Sequence, residues 1–196
     1  MGKKERTRQY ILEKAAPIFN TKGYNGTTLQ DIVKATGMTK GAIYGNFDNK
    51  DNVAVEVFEY TSMKVLELLA VDVRREKNAG DKLRAIVRFY SDYIIDPPIL
   101  GGCPVLNTAV EADDMHPALR ARVVRTIEIL MFSIRKIMHR GIKEGQLKAD
   151  IDVESLAVMF FSSMTGGIMM SKAQGDTRSY DILAKRLEKE IAEMEV

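Results

Sequence analysis

A chain of 196 residues with 45% hydrophobic and 29% charged side chains has enough apolar content to bury a core, which excludes disorder as a global state. The start, Met1-Gly2-Lys3-Lys4-Glu5-Arg6, does not read as an apolar leader, no stretch is expected to reach the ~20 apolar residues of a membrane span, and a single cysteine, Cys103, excludes an intrachain disulfide. A cytoplasmic protein without membrane contact is therefore expected. Net charge is only +2, yet residues 1–50 hold nine Lys or Arg against four acids, and the remainder twenty against twenty-three. A basic head on a mildly acidic body points to a polyanion at one end of the molecule, nucleic acid first.

Apolar residues recur at three- and four-residue spacing almost throughout, with scarcely a strand signal, so the fold class is all-α. Residues 5–21 predict a helix with Tyr10, Ile11, Ala15, Ile18 and Phe19 toward one side, ended by Gly23 and expected to kink at Pro17. Thr28 is placed to cap a short helix at 29–35, which Thr36-Gly37-Met38 breaks, and Thr39 to cap a second that runs to about Asn46. Helix, glycine-containing turn, helix is the helix-turn-helix layout, and the first helix supplies its third wall. A longer helix at 50–76, carrying Val53, Val57, Phe58, Met63, Leu66 and Leu69, would join head to body. Beyond Asn78-Ala79-Gly80-Asp81, helices are expected at 81–95, 104–112, 117–144, 152–174 and 177–195.

The stretch GYNGTTLQDIVKATGMTKGAIYGNFDNKDNV resembles the DNA-binding signature of the TetR family across about residues 8–58. Gly23-Tyr24, Thr28, Ile32, Gly37, Lys40 to Tyr44, Phe47 and Lys50 fall in register; Gly45-Asn46 departs from the larger aromatic or histidine side chains usual there. The resemblance implies an N-terminal three-helix helix-turn-helix DNA-binding domain (residues 1–48) and a C-terminal helical ligand-binding and dimerisation domain (49–196). It implies a transcription regulator, a repressor released by a small apolar or amphipathic effector. Its partners would be double-stranded, pseudo-palindromic operator DNA and a second copy of itself; no cofactor and no enzymatic activity are expected. A recognition helix entering the major groove would set Thr39, Lys40, Gly41 and Ala42 against base edges: Lys40 at a guanine edge or phosphate, Ala42 at a thymine methyl, Gly41 allowing close backbone approach. Thr28, Tyr44 and Lys50 suit phosphate contacts, and Asn46 completes the DNA-facing set, whereas Phe47 reads as core.

For the body, the resemblance implies a four-helix dimer interface from the last two helices. Leu156, Phe160, Ser163 and Gly167 would lie on one, and Ile182, Leu187, Ile191 and Met194 on the other, with Ser162 and Gly166 also small enough for close approach. It further implies a ligand pocket, for which Phe89, Tyr93, Cys103, Met115, Met131, Met138 and Phe160 are the candidates. Gly101-Gly102-Cys103-Pro104 resembles a Gly-Cys pattern of some family members, which makes Cys103 an alternative input as an electrophile- or oxidant-sensing thiol beside a helix N-terminus. Glu111, Asp113, Asp114 and His116 are the one cluster with metal-ligand chemistry, but Pro117 at a helix start accounts for the last three as caps. With two histidines and no nucleophile pattern, a helical carrier or enzyme remains the rival class; a steep salt dependence of DNA binding would separate the two.

Overall fold

The computed structural model describes residues 2–112 and 116–196, and within them the chain is helical: α1 (Lys3–Gly26), α2 (Leu29–Thr36), α3 (Lys40–Tyr44), α4 (Lys50–Arg75), α5 (Ala79–Ile95), α6 (Pro104–Ala112), α7 (Pro117–Lys143), α8 (Val153–Gln174) and α9 (Arg178–Met194). The expected caps form. Thr28 Oγ1 accepts the Asp31 N–H at 3.2 Å while the Asp31 carboxylate accepts the Thr28 N–H at 2.9 Å, a reciprocal capping box. Thr39, Asn78 and Asp152 cap α3, α5 and α8 one way, each side chain accepting the N–H three residues on. The kink expected at Pro17 is not where α1 breaks: its one non-helical residue is Gly23, at φ 74° and ψ 178°.

Two compact units are present, Met1–Val65 with Pro98–Thr126 and Leu66–Pro97 with Ile127–Val196. The first buries Ile11, Ala15, Phe19, Ile32, Ile43, Phe47, Val53 and Val57, so α1, α2 and α3 share one core with the first turns of α4. In the second, α5, α8 and α9 pack together around Leu83, Val87, Met138, Phe160, Leu187 and Ile191. Tyr180 is wholly buried there, and its phenol donates to the Val87 carbonyl at 3.1 Å; burial pushes that phenol's pKa up. Arg84 clasps Glu195 through two bonds at 2.8 and 2.7 Å, beside an isolated β-bridge between Leu147 and Glu195.

One expectation needs correction here. The α8 helix, 22 residues with a mean hydropathy of 1.4 over its most apolar window, is long and apolar enough by length and composition to cross a membrane, contrary to the reading that no stretch reaches that length. Of the residues expected at an interface, Phe160, Leu187 and Ile191 are at most 1% exposed within a single chain, and Gly167 and Met194 are buried too. A Cβ on Gly167 would lie 2.7 Å from Leu183 Cδ2 and 2.9 Å from Tyr180 Cδ2, so this glycine serves the α8–α9 contact of its own chain. Leu156 and Ser163 are half-buried, and Ile182 is exposed.

Candidate nucleic-acid interface

The α3 helix is five residues long and amphipathic at its smallest scale: Ile43 is buried while Thr39, Lys40, Gly41, Ala42 and Tyr44 are all exposed. Thr39 Oγ1 accepts the Ala42 N–H at 3.1 Å, which aims the first turn of α3 outward. Behind it, Gly37 ends α2 in the left-handed conformation, φ 67°, and donates to the Val33 carbonyl, giving the tight turn between the two helices. The predicted reading edge therefore lies together on one surface. Lys40 Nζ stands 5.8 Å from the Tyr44 ring centroid, so a cation and a phenol share the same side of α3.

The other predicted DNA contacts are bound into the scaffold. Asn46 Nδ2 donates to the Ala42 carbonyl at 2.9 Å and closes the end of α3. Lys50 Nζ donates to the Tyr24 carbonyl at 2.8 Å and stands 4.3 Å over the Tyr24 ring, so its charge holds the end of α1 beyond the Gly23 break. Thr28 is exposed at the N-terminus of α2 but is engaged with Asp31. The Lys22 ammonium, with the Thr28 bonds, holds the Asp31 carboxyl well below its ordinary value of 3.8. The Tyr24 phenol donates to Asp51, and burial together with that carboxylate pushes its pKa up to about 12.

Several positioning residues carry no local sequence signal. Arg8, counted above only as basic charge, forks onto Glu56, donates to the Asn46 carbonyl and stacks 4.3 Å over Phe47, which pins the end of α3 to α1 and α4. Glu111, on α6, accepts the Tyr24 and Asn25 N–H groups at 2.7 and 3.1 Å directly at the Gly23 break. Asn20 Nδ2 donates to the Leu100 and Gly102 carbonyls at 3.0 and 2.7 Å, and Asn107 Nδ2 donates to the Asn20 carbonyl at 3.0 Å. The α6 helix and its preceding loop are thus hydrogen-bonded to the end of α1, just before the helix-turn-helix. Nothing but the fold brings residues some 87 positions apart together.

Glu111 is therefore a turn clamp, and His116 Nδ1 accepts the Leu119 N–H at 3.1 Å as a cap on α7; among the described residues no metal-holding group of His, Cys, Asp and Glu exists, and Asp113 and Asp114 lie outside them. Of the ligand candidates, Tyr93, Met138 and Phe160 are buried in the solid core of the second unit, Phe89 stacks edge-on to Tyr90 at 5.4 Å, Met131 is half-buried, and Met115 is not among the described residues. Cys103 is half-buried immediately before α6. The cleft observed in that unit, about 380 Å³, is lined by a different set drawn from α4, α5 and α7, among them Val73, Arg74 and Lys136.

A helix-turn-helix whose second helix presents an exposed polar edge, on an otherwise helical chain, defines the helix-turn-helix class of DNA-binding protein. Comparison with known proteins agrees. Residues 11–57 match the sequence model of bacterial regulatory proteins of the tetR family, and residues 79–187 that of the tetracyclin repressor-like C-terminal domain. A TetR-family transcriptional regulator from Cytophaga hutchinsonii is 36% identical with a TM-score of 0.94, the match covering 100% of this chain and 98% of that one. A TetR regulator from Chloroflexus aurantiacus J-10-FL is 34% identical with a TM-score of 0.95 over the same shares. The HTH-type transcriptional repressor DhaR of Mycobacterium sp. strain GP1 is 26% identical over 174 residues, 89% of this chain and 86% of DhaR. The chain belongs to the TetR family. Regulators of this family bind operator DNA and act as dimers.

Proposed function

We propose that the chain is a repressor that binds a pseudo-palindromic operator as a homodimer and is released when a small apolar or amphipathic molecule occupies its body. The observation that carries the reading is the exposed edge Thr39, Lys40, Gly41, Ala42 and Tyr44 on a helix anchored by Ile43, since a side chain can reach a base only if its own fold does not need it. The names of relatives such as DhaR support repression. Two such edges must meet successive major grooves ~34 Å apart, so any change in their spacing weakens binding. Dimerisation is assigned to the face of α8 that its own chain leaves open, Val158, Ser162, Gly166, Met169 and Met170, together with Ile182 of α9. The hydrogen bonds from α6 to the end of α1 give a movement of α6 a direct handle on the helix-turn-helix.

The test is operator titration by gel shift, after selecting the operator from fragments retained by the purified protein. Lys40→Ala and Tyr44→Ala should each weaken operator affinity by about ten-fold or more, with helicity and dimerisation intact. Loss of a phosphate contact at Lys40 would lower the salt slope by about one, whereas loss of a base contact would relax sequence preference at one position. Unchanged affinity in both variants refutes the assignment.

A further inference from the structure

The second unit holds a cleft of about 380 Å³ where the last turns of α4, the first turn of α5 and the C-terminal half of α7 converge. That volume falls within the ~300–1,000 Å³ range of small-molecule sites. Its lining joins apolar Val73 and Ile137 to four cations, Arg74, Lys82, Lys136 and Arg140, against one carboxylate, Glu144. That carboxylate is already engaged, accepting from Arg140 Nε at 2.6 Å and from Gln146 Nε2 at 3.0 Å, and the Arg140 bond together with the nearby Arg140 and Lys82 charges holds its pKa down. Lys82 donates to the neutral Lys77 carbonyl at 3.1 Å, and among the described residues Arg74, Lys82 and Lys136 form no ion pair.

Helix electrostatics explain only part of this set. Cations in the last turn of a helix are stabilised by its dipole, which accounts for Arg74 and Arg140 near the ends of α4 and α7. Lys82 stands in the first turn of α5, where the same dipole disfavours a cation, and Lys136 is about two turns short of the α7 terminus. Like charges around one cleft repel, and an anion bound among them removes that repulsion.

We infer that this cleft binds a small organic anion, with an oxyanion head among Arg74, Lys82 and Lys136 and a short apolar chain against Val73 and Ile137. A guanidinium supplies a planar fork for carboxylate or phosphate, and the two lysines add point charges. The regulatory meaning of the site rests on the proposed ligand-responsive function; the binding itself does not, and the two are measured separately.

Calorimetry on the full chain at low salt compares hexyl phosphate, hexanoate and hexanol, and repeats the titrations on the double variant Arg74→Gln/Lys136→Gln, whose side chains are exposed and dispensable to the core. At least one anion should saturate at one per chain and weaken with added salt; hexanol, and the anion on the double variant, should bind about ten-fold more weakly. Which head binds distinguishes carboxylate from phosphate. Equal binding of hexanol, no saturation by either anion, or unchanged affinity in the double variant overturns the inference. A loss of affinity for random duplex DNA in the double variant also overturns it, because the cations would then be a nucleic-acid surface. Anion binding that leaves operator affinity unchanged upholds the site and counts instead against its role in release.

Discussion

Gly23→Ala tests how α6 clamps the turn that precedes the helix-turn-helix. Gly23 sits at φ 74° and ψ 178°, a region that glycine alone occupies readily, and forcing another residue there costs ~1–3 kcal/mol. The added Cβ would also lie 2.3 Å from Glu111 Oε2 and 2.6 Å from its Cδ, so the carboxylate has to retract. Retraction breaks the bonds to the Tyr24 and Asn25 N–H groups at 2.7 and 3.1 Å. Bonds to a charged acceptor contribute ~1.5–3 kcal/mol each; Asn25 is exposed and its amide rehydrates, so the loss is about 2 kcal/mol and the total cost of Gly23→Ala about 3–5 kcal/mol. Glu111→Ala alone should cost about 2 kcal/mol, and in that background Gly23→Ala should retain only its backbone strain. The predicted coupling is thus about 2 kcal/mol, measured by urea unfolding of the four proteins, with operator affinity falling in the same order because α2 starts four residues beyond the turn. Additivity within ~0.5 kcal/mol would refute the clamp, as would a Gly23→Ala cost below ~1 kcal/mol.

Adjacent glycines on α8 should respond oppositely. Gly167→Leu, with its Cβ directed into Leu183 and Tyr180, should destabilise the chain by ~1–3 kcal/mol and lower its melting temperature; Gly166→Leu, whose Cβ meets nothing within 4 Å, should leave melting of the fold unchanged and shift sedimentation toward monomer. Equal effects on both readouts would show that the open face of α8 has been assigned wrongly. The Asp31 box sets an acid limit on the head: its pKa is depressed on folding, so its contribution is full above the ordinary value of 3.8 and is lost as pH falls below it toward the folded value. In acid titration followed by circular dichroism, Asp31→Asn should lower stability at neutral pH and flatten the acid limb; a limb identical to wild type refutes the linkage.

The sequence by itself determined the periodic helices, their caps and the exposed edge of α3, because each is local. A helix is set by spacing of three and four residues, a cap by Thr28 or Thr39 and the amides two or three residues on, and the exposed edge of α3 by one buried Ile43 per turn. Only the tertiary structure decided which apolar face of α8 and α9 was used internally, since Phe160, Gly167, Leu187 and Ile191 look equally suited to a partner chain until α5 is packed against them. It alone placed Glu111 at the Gly23 turn, set Lys50 against the Tyr24 carbonyl, and gathered Arg74, Lys82 and Lys136 around a cleft that Met and aromatic spacing did not mark. The physical reason is range: periodicity and capping act over a few bonds, whereas a clamp or a pocket is a coincidence of surfaces that chain closure over tens of residues creates.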